Sequence, residues 1–173
     1  MTIKVLVAYA TKNHSTAEIA RTVTEVLREE GLESDTRQAD QVGDVRAYDA
    51  VVLGSALYAG RWLRDARRFV RRNARALEGT SVWLFSSGPL DTSAGERDIP
   101  PVRAARRALV RLDAQEHVTF GGRLVEGAKG RVAHMIITSG KGGDFRDFAR
   151  IAAWARHIAA TLREEAVVGP EGR

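Results

Sequence analysis

Apolar residues arrive along this chain in short unbroken runs, separated by stretches in which they recur every three to four positions. Ile3 to Ala8 is the first run, Ala50 to Ala56 the second and Ser81 to Ser86 the third. Runs this short with so little polar interruption suit strands buried on both faces of a sheet. Between them the period becomes helical. Ile19, Val23, Val26 and Leu27 share one side of a helix predicted over Ser15 to Glu30, and Gly31 supplies its stop. Leu63, Ala66, Phe69, Val70 and Leu77 do the same over Trp62 to Leu77. Leu32 to Arg37 alternates weakly with charges and reads as an edge strand. Further on, Val102 to Leu112 predicts a helix, His117 to Phe120 a strand, Arg131 to Thr138 a short helix and Asp144 to Glu165 a long closing helix. Strands alternating with helices imply parallel pairing, because parallel neighbours need a crossover between them. The expected fold is therefore α/β, a doubly wound sheet in one domain over residues 1–166, followed by a tail of residues 167–173.

Sheets of this kind bind ligands beyond the carboxyl ends of their strands, at the point where strand order reverses. The loop after the first run, Tyr9-Ala10-Thr11-Lys12-Asn13-His14-Ser15-Thr16, is dense in hydroxyl and amide groups and opens a helix. A helix N-terminus presents unpaired N–H groups and the positive end of its dipole, which together favour a phosphate. Thr11, Ser15 and Thr16 add hydroxyl donors and Lys12 adds charge. The same residues also read as a capping box, Ser15-x-x-Glu18, which needs no ligand. The loop lacks the G-x-G-x-x-G of dinucleotide folds and the G-K-[ST] of nucleotide hydrolases, so both of those readings fail.

The second loop, Ser55-Ala56-Leu57-Tyr58-Ala59-Gly60, joins small residues that let backbone approach a planar ring to an aromatic able to stack on its face. Trp62 fits that stacking role and also fits the core of the helix that follows. The third loop carries Ser87, Gly88, Pro89 and Leu90, and reads either as backbone contacts on the far side of the ring or as a plain turn.

The segment Y-A-T-K-N-H-S-T-A-E-I-A resembles the phosphate loop of flavodoxins, where a Thr/Ser-rich turn opens the first helix. The stretch from Met135, M-I-I-T-S-G-K-G-G-D-F-R-D-F-A-R-I-A-A-W-A-R-H-I-A, resembles the ending of the flavodoxin-domain group containing menaquinone-dependent protoporphyrinogen dehydrogenase. The resemblance implies a flavodoxin-like five-stranded parallel sheet in the order 2-1-3-4-5, with helices on both faces. It implies FMN as cofactor, held by residues 11–16, 55–60 and 87–90. It also implies a redox function, either as an oxidoreductase of the protoporphyrinogen or quinone dehydrogenase kind or as a small electron carrier. Two departures stand out. His14 occupies the place of a glycine that many flavodoxins carry in the phosphate turn. Should that turn need positive φ, a side chain there costs roughly 1 kcal/mol relative to glycine. A flavodoxin-like binding module that has lost FMN is thus a third reading. The second departure is Gly121 to Gly130, which is shorter than the insertion of the dehydrogenases.

Composition narrows the field. With 44% apolar and 28% charged residues the chain reads as globular rather than disordered. It has no cysteine, which excludes disulfides, thiolate metal sites and a cysteine nucleophile. The four histidines have no metal-ligand spacing. The opening strand follows at once without a basic leader, and no apolar run approaches the ~20 residues of a spanning helix. The expectation is a cytoplasmic protein, soluble or peripheral to a membrane. The net charge of +5 is mostly arginine, and its placement matters more than its size. Arg61, Arg64, Arg68, Arg71, Arg72 and Arg75 recur on one helix, and Arg103, Arg106, Arg107 and Arg111 on the next. Two such helices side by side suit an anionic partner: porphyrinogen, a donor or acceptor of the quinone pool, an acidic redox protein or an anionic leaflet. An ordinary solvated face accounts for them too. No interleaved aromatics form a stacking platform, so nucleic acid is a poor fit.

Overall fold

The computed structural model describes residues 2–12, 14–88, 99–124, 143–144 and 146–169. The three apolar runs form β1 (Lys4–Ala10), β3 (Ala50–Tyr58) and β5 (Ser81–Ser87), nearly all of it buried. With β2 (Glu33–Gln38) and β6 (Glu116–Phe120) they make a parallel sheet in the order β2-β1-β3-β5-β6. Counting only these five long strands gives the expected 2-1-3-4-5. A short strand, β4 (Arg61–Trp62), turns back antiparallel on the end of β3. The connecting helices are α1 (Ser15–Glu29), α2 (Arg64–Asn73) and α3 (Arg103–Arg111), and α4 (Phe148–Val168) closes the described chain.

Alternate residues along the central strands point to opposite faces and feed two cores. On one face Val5, Val7, Val52, Trp83 and Phe85 pack with Ile19, Val23 and Leu27 of α1 and Ile151, Ile158 and Leu162 of α4. On the other, Leu6, Ala8, Val51, Leu53 and Leu84 pack with Phe69 and Val70 of α2 and Ala105 and Ala108 of α3. The two arginine-rich helices therefore do lie on one face of the sheet.

Four expectations need correction or qualification. Trp62 does not open a helix. Ala59 and Gly60 adopt φ of 50° and 71°, the paired positive values of a tight hairpin, which reverses the chain and puts Trp62 in β4. The helix then starts two residues later and ends at Asn73, whose side-chain amide bonds back to the Phe69 carbonyl, rather than at Leu77. The closing helix starts at Phe148, not Asp144, because Asp147 caps it by accepting a hydrogen bond from the Arg150 N–H. It runs on to Val168, past the expected start of the tail. Gly143 and Asp144 instead form β8, paired antiparallel with β7 (Arg123–Leu124). The short helix expected over residues 131–138 lies outside the described residues.

Candidate functional site

The register of the sheet brings three strand ends level. Ala10 of β1 pairs with Ser55 of β3, and Ala56 of β3 with Ser87 of β5. The loops leaving these positions are therefore neighbours on one edge. They are the three loops singled out from the sequence, except that Asn13, Pro89 and Leu90 lie outside the described residues.

The first loop ends in a helix start with no cap. His14 occupies the cap position with φ 65° and makes no side-chain hydrogen bond to the helix. The capping box fails as well: Ser15 is already the first helical residue, and the Glu18 carboxylate is engaged by Arg146 at 2.5 Å. Neither His14 nor Ser15 therefore caps the first-turn N–H groups of α1 with its side chain. Beneath them Thr16 is fully buried, and neither its hydroxyl nor that of Thr11 has a hydrogen-bond partner among the described residues. Buried hydroxyls are normally satisfied, so two orphans beside an uncapped helix mark a place for an acceptor such as a phosphate. Arg146 adds a guanidinium that is 3% exposed against the first turn. It comes from 128 residues further along, and no local pattern in the sequence pointed to it.

In the second loop, Ser55 is committed to structure. Its hydroxyl donates to the Ala56 carbonyl at 2.9 Å and accepts from the Leu63 N–H at 3.0 Å, just ahead of α2. Ala56, Leu57 and Tyr58 are half-buried, and Ala59 and Gly60 exposed, so the backbone of this loop remains accessible. The Lys12 ammonium sits 3.7 Å from the centroid of the Tyr58 ring. The phosphate-type loop and the aromatic candidate therefore touch directly. Trp62 takes no part in stacking. It is 2% exposed, and its indole N–H donates to the Ser86 hydroxyl at 2.8 Å.

At the third loop Ser87 carries another buried hydroxyl without a partner among the described residues. Gly88 has φ 133°, and a Cβ there would meet the Leu57 side chain at 3.2 Å. Behind them Ser86 Oγ lies 2.7 Å from His117 Nε2. Burial pushes His117 down from 6.5 to about 4, so its ring is neutral near pH 7.

The arginines divide by role. Arg61, Arg71, Arg103, Arg107 and Arg111 line a groove between α2 and α3, joined by Arg67, which the sequence reading passed over. Arg64, Arg68, Arg75 and Arg106 are exposed outside it. Arg72 is structural, reaching the carbonyls of Ala39 and Val42 at 3.3 and 3.4 Å. No helix among the described residues is long and apolar enough to cross a membrane.

No curated protein sequence matches the chain. Among solved structures it is similar to a flavodoxin from Streptococcus pneumonia, with a TM-score of 0.60 and 18% identity, covering 91% of this chain and 99% of that one. A cysteine-to-serine mutant of flavodoxin from Pseudomonas aeruginosa gives 0.63 and 16%, covering 93% and 99%. The rubredoxin oxygen:oxidoreductase of the anaerobe Desulfovibrio gigas gives 0.60 and 15%, with 93% of this chain matching 36% of that one. These likenesses are in fold. The sequence itself matches the model of the flavodoxin domain over residues 6–138. With that match on a sheet of the same strand order, the chain belongs to the flavodoxin-domain family.

Proposed function

We propose that this protein binds FMN at the carboxyl edge of its sheet and works as a flavin-dependent redox protein. The observation that carries the reading is the pair of buried hydroxyls of Thr11 and Thr16, unpartnered among the described residues, beside the start of α1 that His14 leaves uncapped. Thr11, Lys12, Ser15 and Thr16 would hold the phosphate through hydroxyl and backbone donors and one positive charge. The backbone of residues 56–60 and of Gly88, with the Ser87 hydroxyl, would hold the edge of the ring system, and Tyr58 would offer it an aromatic face. When bound, the flavin supplies the electron-transfer chemistry, while the protein supplies binding, orientation and tuning. Nothing in the loop offers a second phosphate cradle, which favours the monophosphate over FAD.

Two roles share this site: an oxidoreductase acting on a small anionic substrate, of the protoporphyrinogen or quinone dehydrogenase kind, and a small electron carrier. The arginine-lined groove beside the second loop favours the first. Steady-state turnover with a porphyrinogen as electron donor and a quinone as acceptor separates them.

Replacing Thr11 and Thr16 together by Ala tests the phosphate site. Each lost hydrogen bond to a charged group costs about 1.5–3 kcal/mol, so FMN affinity should fall by more than ~100-fold while riboflavin affinity stays as it was. Equal losses for both ligands would place the phosphate elsewhere.

A further inference from the structure

The groove between α2 and α3 has a volume of about 560 Å³. Trp62, Val70 and Ala108 are buried along it and give it an apolar floor. Six exposed arginines surround that floor: Arg61, Arg67 and Arg71 on one side, Arg103, Arg107 and Arg111 on the other. Among the described residues none of their guanidinium groups makes an ion pair. Arginine does not lose its proton at any physiological pH, so the charge cannot be relieved by titration. Six permanent cations around one concavity build a positive potential that favours an anion there. Guanidinium groups are also the side chains best matched to carboxylate and phosphate oxygens.

Shape decides what kind of anion. Arg103, Arg107 and Arg111 follow one another at four-residue steps, which spans about 12 Å along the helix. Charge therefore lines the whole length of the groove, over an apolar floor. A flat membrane surface would meet the rim and leave the floor uncovered. Concave apolar sites of 300–1,000 Å³ with a few placed polar groups are the usual form of small-molecule sites. The mouth of the groove adjoins the flavin site, because Arg61 pairs across the hairpin with Tyr58.

We propose that this groove binds a small polyanion, an elongated molecule with an apolar body and carboxylate, phosphate or sulfonate groups near both ends. Binding here does not depend on the flavin reading and is measured without flavin. The probe is bis-ANS, a binaphthyl dye carrying two sulfonates whose fluorescence rises in apolar surroundings. The wild-type protein should bind it in a salt-sensitive manner. Arg67→Glu with Arg107→Glu should weaken binding roughly tenfold or more, since each lost partner is a charge-assisted bond. Arg64→Glu with Arg68→Glu makes the same change in net charge outside the groove and should leave binding as it was. The Thr11/Thr16 double alanine variant should also bind the dye normally, which separates this site from the phosphate loop. Four results would each overturn the proposal: no binding by the wild type, equal losses in both arginine pairs, loss in the threonine variant, or tighter binding of a polyglutamate peptide than of the dye. Circular dichroism of each variant confirms that lost binding is not lost folding.

Discussion

Thr16 is fully buried, and yet its hydroxyl finds no partner among the described residues. Leaving a buried hydroxyl unpaired costs about 1–3 kcal/mol, and Thr11 and Ser87 repeat the situation along the same edge. A ligand bound at this edge would remove that cost. His14 adds strain of the same kind, holding φ 65° without a capping bond in return. The density of hydroxyls was legible in the sequence as T-K-N-H-S-T, but their lack of partners was not, because the capping-box reading fails only once Ser15 is seen to be the first helical residue and Glu18 to pair with Arg146. The fate of Ser55 was not, since its two bonds depend on where the hairpin returns Leu63. His117 gives the residue scale its own prediction. Its folded value of about 4 lies below the 6.5 of an exposed histidine, so the unfolded chain binds the proton more readily. Stability from this group is complete above pH 6.5 and is lost as the pH falls towards 4. Denaturant titrations at pH 7.5 and pH 5 should show a larger loss for wild type than for His117→Gln. Equal losses would mean that His117 titrates as an exposed ring.

At the scale of elements, the strands declared themselves through uninterrupted apolar runs, and the helices through their spacing. The missed element was the β3–β4 hairpin. Its turn is Ala59-Gly60, and the usual sequence signal for two consecutive positive φ values is Asn-Gly or Asp-Gly. Alanine in the first of those positions hid it. Trp62, spaced helically with the residues after it, then looked like part of α2. The arginine assignment slipped for a related reason: helical spacing shows which residues share a face, but the neighbouring helix decides that Arg67 rather than Arg64 or Arg68 faces the groove. Inside the sheet, Gly54 makes a sharper demand. It pairs with Phe85, whose ring lies where a Cβ would be, at 2.0 Å from the nearest ring carbon. That ring packs against Phe120 and Trp154, with centroids 6.0 Å away in each case, so it has little room to retreat. Gly54→Ala should cost about 1–3 kcal/mol or more, read as a lower denaturant midpoint with an unchanged slope. Adding Phe85→Leu should return part of that loss. A Gly54→Ala protein as stable as wild type would mean that the ring moves freely.

The whole molecule uses the two faces of its sheet differently. One face is closed by α1 and α4, which pack on each other, and Glu18 in the first turn of α1 pairs with Arg146, just ahead of α4. The other carries α2 and α3, parted by the arginine groove. The edge where the loops converge lies between these two regions, so a ligand there would meet the start of α1 on one side and the arginine groove on the other. That arrangement follows from strand order, which the alternation of elements made legible from the sequence once the flavodoxin resemblance supplied the order 2-1-3-4-5. The ligand proposed for this edge is a flavin monophosphate. Titration of the purified, flavin-stripped protein with FMN, followed by flavin fluorescence and visible absorbance, tests it most directly. FMN should bind saturably, one to one, with a perturbed flavin spectrum, and riboflavin should bind much more weakly. An FMN spectrum that never departs from that of free flavin, or riboflavin binding as tightly as FMN, would contradict it.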